Sequence, residues 1–297
     1  MWLMYGLIAI GFQVTRTALQ KELADSIPRL AATWVRYAFG LPFCLILWAV
    51  LWGLGEQVYS FTLLFWLYSI AAGVLQIVAT NLLLKVFTLR SFMVGTCYGK
   101  SDSIQTALLG WVLFGEALGI LELAMVIAGF AGVLLVSVER DSMSVKSFLD
   151  IRGNKGAQIG ILTGSCFALT ALGIRQAILQ LDATSVFMAS TTTLVVVVVM
   201  QVVILFAYLC IRQRNSFSMI AKYMKKSTMV GLTSCIGSVF WFMAFATAYA
   251  SYVKALAQIQ MPLSILYSYL MFREKIYRHE IIGMAIIIIS VTMLVFI

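Results

Sequence analysis

The sequence predicts an all-α integral membrane protein of ten transmembrane helices, arranged as two five-helix repeats of opposite orientation. Three observations carry this. The chain is 62% hydrophobic and only 11% charged, against about 25% charged in soluble domains. It contains ten apolar runs near the roughly 20 residues that cross a bilayer. Short motifs recur 158 to 160 residues apart.

The runs lie at approximately 2–20, 30–52, 61–84, 91–114, 118–138, 157–179, 184–211, 229–249, 251–272 and 280–297, here called spans 1 to 10. Their connections are short. The longest, 139–156 and 212–228, hold at most a surface turn of helix, so no soluble domain is expected. The N-terminus opens on Met1-Trp2-Leu3 with no basic stretch before it. A cleaved signal peptide is therefore not expected, and span 1 is read as mature protein. The five cysteines (Cys44, Cys97, Cys166, Cys210, Cys235) fall inside apolar runs with no C-x-x-C pair, which reads as packing and not as disulfides or metal ligation. His279 is the single histidine, so neither a metal centre, a cofactor nor a catalytic triad is expected.

The second half repeats the first. Phe114-Gly115-Glu116 with Glu122 matches Phe272-Arg273-Glu274 with Glu280, and Ser91-Phe92-Met93-Val94 resembles Ser251-Tyr252-Val253-Lys254. Span 1 from Gly6 resembles span 6 from Gly160. The domain division is 1–139 for the first repeat, 140–155 for a connecting loop and 156–297 for the second repeat. Five spans per half force the halves into opposite orientations, the architecture of alternating-access carriers with a site near the midplane. Charge placement tests this independently. The loops after spans 1, 3, 5, 7 and 9 hold 16 Lys or Arg, and those after spans 2, 4, 6 and 8 hold almost none. The net charge of +9 is therefore a topology signal and not a nucleic-acid footprint. By the positive-inside rule the basic loops face the cytoplasm and both termini face outward.

Two five-span halves, each closing its fourth span on an apolar run and a Glu (Val112-Leu113-Phe114-Gly115-Glu116; Leu270-Met271-Phe272-Arg273-Glu274), resemble the EamA-type branch of the drug/metabolite transporter (DMT) superfamily. Thr33-Trp34-Val35-Arg36-Tyr37 is similar to the arginine-bearing start of that family's second helix. The resemblance covers nearly the whole chain. It implies a secondary transporter in the cell (inner or plasma) membrane, moving an amino acid, another metabolite or a drug through a central cavity between the repeats. The family usually carries a proline in both repeat helices before the Glu. Here only Pro262 is present, with Ile104 in the other place, and the outward termini are opposite to the family's usual drawing.

Candidate site residues follow from charge and polarity at membrane depth. Lys100 and Asp102 lie near the middle of span 4, where a charge costs about 2.5 kcal/mol or more on insertion scales and is functional by default. At 100° per residue Tyr98, Asp102 and Gln105 share one face and Lys100 lies nearly opposite, so each charge needs a partner on another helix. Asp102, about 16 Å deep at 1.5 Å per residue, is the candidate for proton coupling; the alternative is a structural ion pair, for instance with Arg36. Lys100 and Asp102 together would suit a zwitterion. In span 9, Pro262 removes the N–H that Gln258 would bond, and Gln258 and Gln260 add polar side chains at the same depth, which favours a cavity. Gln13 and Trp241 join them if spans 1 and 8 flank the centre. Packing glue is the plainer reading of Gln76, Asn81 and Gln201, worth roughly 0.6 kcal/mol per hydrogen bond.

For Arg36, snorkelling to the basic surface is as good a reading as anion binding. Arg16 and Arg175 read as anchors near span ends, and Lys254 and Tyr252 as interfacial. Glu116 and Glu274 read as electrostatic caps of spans 5 and 10. Gly129 and Gly132 predict close packing in span 5, and the run Ile286-Ile287-Ile288-Ile289 a lipid-facing span 10. Competing classes are a flippase for a lipid-linked or amphipathic substrate, an intramembrane enzyme and a passive channel. The enzyme lacks a nucleophile–base pair, and no phosphate-binding loop points to ATP. The partners expected are a small-molecule solute and the lipid bilayer, with no nucleic acid; monomer and homodimer are equally open.

The charge pattern makes one testable statement. Single cysteines placed at 139–156 and 212–228, in a cysteine-free background, are expected to resist a membrane-impermeant thiol reagent in intact cells. Ready labelling of both loops would invert the topology.

Overall fold

The computed structural model describes residues 1–89, 100–116, 118–138, 155–263, 265, 266 and 277–296. Tyr98, Cys97, Glu274 and most of the loop at 139–156 lie outside them. The helices are α1 (Trp2–Ala24), α2 (Arg29–Ala38), α3 (Leu41–Gly53), α4 (Leu63–Leu89), α5 (Asp102–Phe114), α6 (Ile120–Val138), α7 (Lys155–Leu179), α8 (Val186–Arg212), α9 (Ser216–Lys222), α10 (Met224–Thr247), α11 (Ala250–Leu256) and α12 (Arg278–Phe296). Among the described residues six stretches are long and apolar enough to cross a membrane, from Arg29–Gly53 to Arg278–Phe296. The protein is an all-helical membrane protein.

Its lipid-facing surface is visible in α4, where Leu63, Leu67, Ile70, Val74 and Val78 are exposed at helical spacing. Water would oppose so continuous an apolar stripe, and hydrocarbon accepts it. Buried on the other side are Phe65, Ile10, Leu172, Leu194, Phe242 and Met261.

Local chemistry sets the breaks. Ser185 caps α8 by accepting from the Met188 amide at 3.1 Å, as a serine at that position does. Gly115 takes φ 68°, and the Glu116 amide reaches back to the Gly110 carbonyl at 3.1 Å. This is the glycine-terminated helix end that only a residue without Cβ forms cheaply. Span 2 is divided at Phe39-Gly40 into α2 and α3. In span 9, α11 tightens into a 3-10 turn over Ala257–Ile259 before Pro262, where a missing N–H disfavours regular α-helix. A short antiparallel ribbon, β1 (Val58–Phe61) with β2 (Leu181–Ala183), ties the loop after span 2 to the loop after span 6.

The helices pair across the two halves of the chain. α1 packs on α10, α4 on α7, α6 on α12, α8 on α2 and α3, and α5 on α11. Small residues let the backbones approach, as interhelical packing in lipid requires. A Cβ added at Gly132 would meet the Gly283 carbonyl at 2.8 Å and Ile287 at 2.9 Å, so the glycine reading of span 5 holds. The isoleucine run is split by the same contact: Ile287 is fully buried, while Ile288 and Ile289 are exposed. Only one side of α12 therefore faces lipid. Cys44 and Cys235 meet at 3.0 Å as free thiols between α3 and α10.

Gly231 on α10 lies directly on the backbone of Phe39. Gly231→Ala is expected to cost about 1–3 kcal/mol by overpacking, read as a lower unfolding temperature in detergent. Gly11→Ala, whose methyl meets nothing within 4 Å, is expected to leave that temperature unchanged or raise it.

Candidate functional site

A cavity of about 100 Å³ opens between α1, α2, α4, α5, α7, α10 and the 3-10 turn after α11, space for several waters at roughly 10–15 Å³ each. Its polar lining includes Gln13, Thr17, Gln76, Thr170, Ser238 and Gln260, and its apolar wall includes Phe167, Ile174, Trp241, Phe242 and Phe245. Four cations, Arg16, Arg36, Lys100 and Lys254, face it with a single carboxylate, Asp102.

Asp102 begins α5. Its Oδ2 accepts from Lys254 Nζ at 2.7 Å, with both side chains largely out of solvent, while its Oδ1 has no partner among the described residues. Lys254 also lies 5.5 Å from the centre of the Phe167 ring, an attractive placement for an ammonium. The partner of Asp102 is thus Lys254 and not Arg36. Lys254 is not interfacial, because the last turn of α11 carries it to the cavity.

Lys100 and Asp102 take separate partners, as their positions on the helix require. Lys100 Nζ donates to Gln260 Oε1 at 2.7 Å. The same oxygen accepts from Gln13 Nε2 at 3.2 Å, and Gln13 Oε1 accepts from Trp241 Nε1 at 2.5 Å. One polar chain therefore joins spans 1, 4, 8 and 9, bringing together four of the residues singled out in the sequence.

Arg36 does not snorkel. It is buried, donating from Nε to Ser234 at 3.2 Å and from Nη1 to Thr80 at 3.0 Å, with its guanidinium 5.0 Å from the Tyr37 ring centre. Arg16 is no anchor: it is buried too, its one hydrogen bond is a long one to Thr17 at 3.5 Å, and its Nε has no partner among the described residues. Arg16 feels the charge of Arg36, and Lys100 feels those of Asp102, Lys254 and Arg16. The cations form one electrostatic group.

Gln258 corrects the sequence reading. Its Nε2 donates to Ser103 Oγ at 2.9 Å and to the Val126 carbonyl at 3.3 Å, so it points toward α6, away from the cavity. Two residues after Gln258, Gln260 points inward to Lys100; side chains two positions apart lie on nearly opposite sides of a helix, so the two glutamines face different ways. Gln76 is shared between roles, since it lines the cavity and accepts from Gln201 at 2.8 Å.

A second charged cluster lies at the end of α5. Arg175 Nε donates to Glu116 Oε1 at 2.7 Å, and its Nη1 donates to the carbonyls of Phe245 and Ala248, both at 2.7 Å. Glu116 is therefore not an exposed cap, and Arg175 is not a lipid anchor: together they clamp the ends of α5, α7 and α10. Capping of α6 falls to Glu122, which accepts from the Gly119 amide.

Sequence reasoning missed Arg16, Thr17, Lys254, Phe167, Thr170 and Ser238 as cavity residues. A signal for the cations existed. Of 21 Lys and Arg, the 16 in the basic loops leave Arg16, Arg36, Lys100, Arg175 and Lys254, and all but Arg175 line the cavity. The hydroxyls and Phe167 carried none, because their residue types are ordinary in a membrane helix. Among the described residues no three His, Cys, Asp or Glu side chains gather as a metal site.

An all-helical membrane protein with a buried, charged central cavity is the class that fold and site define. No protein-family model and no curated protein sequence matches the chain. A solved crystal structure of a protein shares the fold: it aligns with a TM-score of 0.71, covering 98% of this chain and 95% of its own, at 12% identity. The likeness extends to the fold alone.

Removing one partner of a buried ion pair strands the other. Asp102→Asn is expected to cost about 3–5 kcal/mol by leaving Lys254 uncompensated. Adding Lys254→Gln to it is expected to restore most of that loss. Unfolding temperatures of the two single variants and the double variant complete the cycle; additive losses would mean that the pair is not coupled.

Proposed function

We propose that the chain is a secondary transporter of a small organic solute, working by alternating access through the central cavity. The observation that carries this is the cavity itself: a buried polar site closed by helices from both halves, joined by the Lys100–Gln260–Gln13–Trp241 chain. A structural core in lipid has no need of four cations at one place, each costly to bury.

Two inverted five-helix repeats, ten helices in all, are part of the same proposal. The cross-half pairings support it, because exchanging the halves turns the α1–α10 contact into the α7–α4 contact and leaves α6–α12 unchanged. Capping supports it too. The Tyr277 amide donates to Glu280 at 2.9 Å as Gly119 does to Glu122, at matching positions 158 residues apart. Lys100 and Gln260, equivalent under the 160-residue offset, touch each other. Equivalent residues meet on the axis that relates two repeats. Kinship with EamA-type carriers, argued from the sequence motifs, fits this arrangement.

In this reading Asp102 carries the coupling proton. Its protonation would release Lys254, and the broken span 9 would rearrange. A broken helix beside the midplane is where such carriers place their moving parts. The double variant Asp102→Asn/Lys254→Gln, which leaves neither member of the pair stranded and the net charge of the lining unchanged, is expected to fold, to keep solute exchange and to lose gradient-driven accumulation. Proteoliposomes tested with a panel of amino acids and small organic acids, with and without a proton gradient, read this out. A well-folded double variant with wild-type, pH-dependent uptake would sink the coupling role, and absence of flux for every solute would sink the carrier.

A further inference from the structure

We infer that the cavity binds a small organic anion, a carboxylate or phosphate monoester carrying an aromatic or apolar body. The biological meaning of this rests on the carrier reading, but the binding site stands on its own observations.

Lys254 and Asp102 answer each other at 2.7 Å. That leaves Arg16, Arg36 and Lys100, which are 8%, 4% and 6% exposed, facing one cavity with only neutral partners. Among the described residues Asp102 is the only carboxylate in the lining. An arginine presents five N–H donors. Arg36 places two of its donors on hydroxyls at 3.2 Å or less, and Arg16 makes one long bond while its Nε meets no acceptor among the described residues. Buried charges of one sign without a counter-charge are unfavourable, and the planar guanidinium fork matches carboxylate and phosphate oxygens. An anion supplies both missing quantities, negative charge and acceptors.

The opposite wall defines the remainder of the ligand. Phe167, Phe242, Phe245 and Ile174 line the same cavity and offer an apolar face to a ring or short hydrocarbon. A zwitterion is disfavoured: its ammonium would enter a field already set by three uncompensated cations, and the charge of Asp102 is already answered by Lys254 at Oδ2.

The test uses the purified full-length protein and four probes of one shape: benzoate, phenyl phosphate, neutral benzamide and cationic benzylamine, with chloride as an inorganic control, all at equal ionic strength. Calorimetric titration and unfolding temperature are expected to show saturable binding of benzoate or phenyl phosphate. Benzamide is expected to bind at least 10-fold more weakly, and benzylamine not at all. Arg16→Gln, if folded, is expected to weaken anion binding at least 10-fold; if it does not fold, the probe series on the wild-type protein decides alone. The inference is overturned by no saturable binding of either organic anion, by benzamide or benzylamine binding as tightly, by chloride alone binding, or by a folded Arg16→Gln protein with unchanged affinity. Saturable benzoate binding by a protein that shows no solute flux would retain this site and sink the carrier. Flux of a neutral or cationic solute that benzoate does not inhibit would retain the carrier and sink the anion site.

Discussion

Charge buried where water cannot answer it must be answered by the protein, and the bridge between Asp102 and Lys254 is where this chain does so most directly. It joins the start of α5 to the last turn of α11 at 2.7 Å, across the two halves. Neither ion is tolerable alone at that depth. The position of span 4 relative to span 9, and with it the shape of the cavity, is therefore set by electrostatics as much as by packing. The Lys100–Gln260 bond adds a second tie between the same spans.

Packing supplies what the charges require. The cavity exists because helices on either side of it come unusually close elsewhere: Gly40 and Gly231 let α10 lie against the turn between α2 and α3, and Gly132 admits α12. Dispersion at these contacts is the main attraction available in lipid, which is as apolar as the side chains. At the membrane edge the Arg175 clamp holds the ends of α5, α7 and α10, and the β1–β2 ribbon joins two loops on the same side as this clamp. The polar centre is thus framed by close contacts, while span 9 departs from regular α-helix beside it, over Ala257–Ile259.

Function follows from the imbalance that this frame leaves. A core meant only to be stable would pair its charges or omit them, since replacing buried ions with apolar groups is often neutral or stabilising. Here one carboxylate faces four cations. The pair that is satisfied, Asp102 with Lys254, suits a switch, and the cations that are not satisfied suit a ligand. Under the proposed function these two duties fall to different residues, so coupling and binding can be tested separately in one cavity.

The sequence by itself determined the membrane class, the apolar helices and the presence of two charges, Lys100 and Asp102, among them. These depend on composition and rise per residue, which are properties of the chain alone. It also singled out Gln13, Trp241 and Gln260, because polar groups in apolar runs are conspicuous. Partnership was decided only by the tertiary structure. Lys254 and Arg16 lie near span ends, where lipid anchoring and cavity lining look alike along the chain; only the tilt and rotation of α1 and α11 chose between them. Gln258 and Gln260 are alike in type, and their spacing puts them on opposite sides of the helix, but only packing decided which faces the cavity: Gln258 meets Ser103 and the Val126 carbonyl, and Gln260 meets Lys100. Glu116 reads as a cap until Gly115, in its left-handed conformation, ends α5 there and brings Glu116 onto Arg175. The direction of a side chain is fixed by contacts from distant segments, and no local pattern records those.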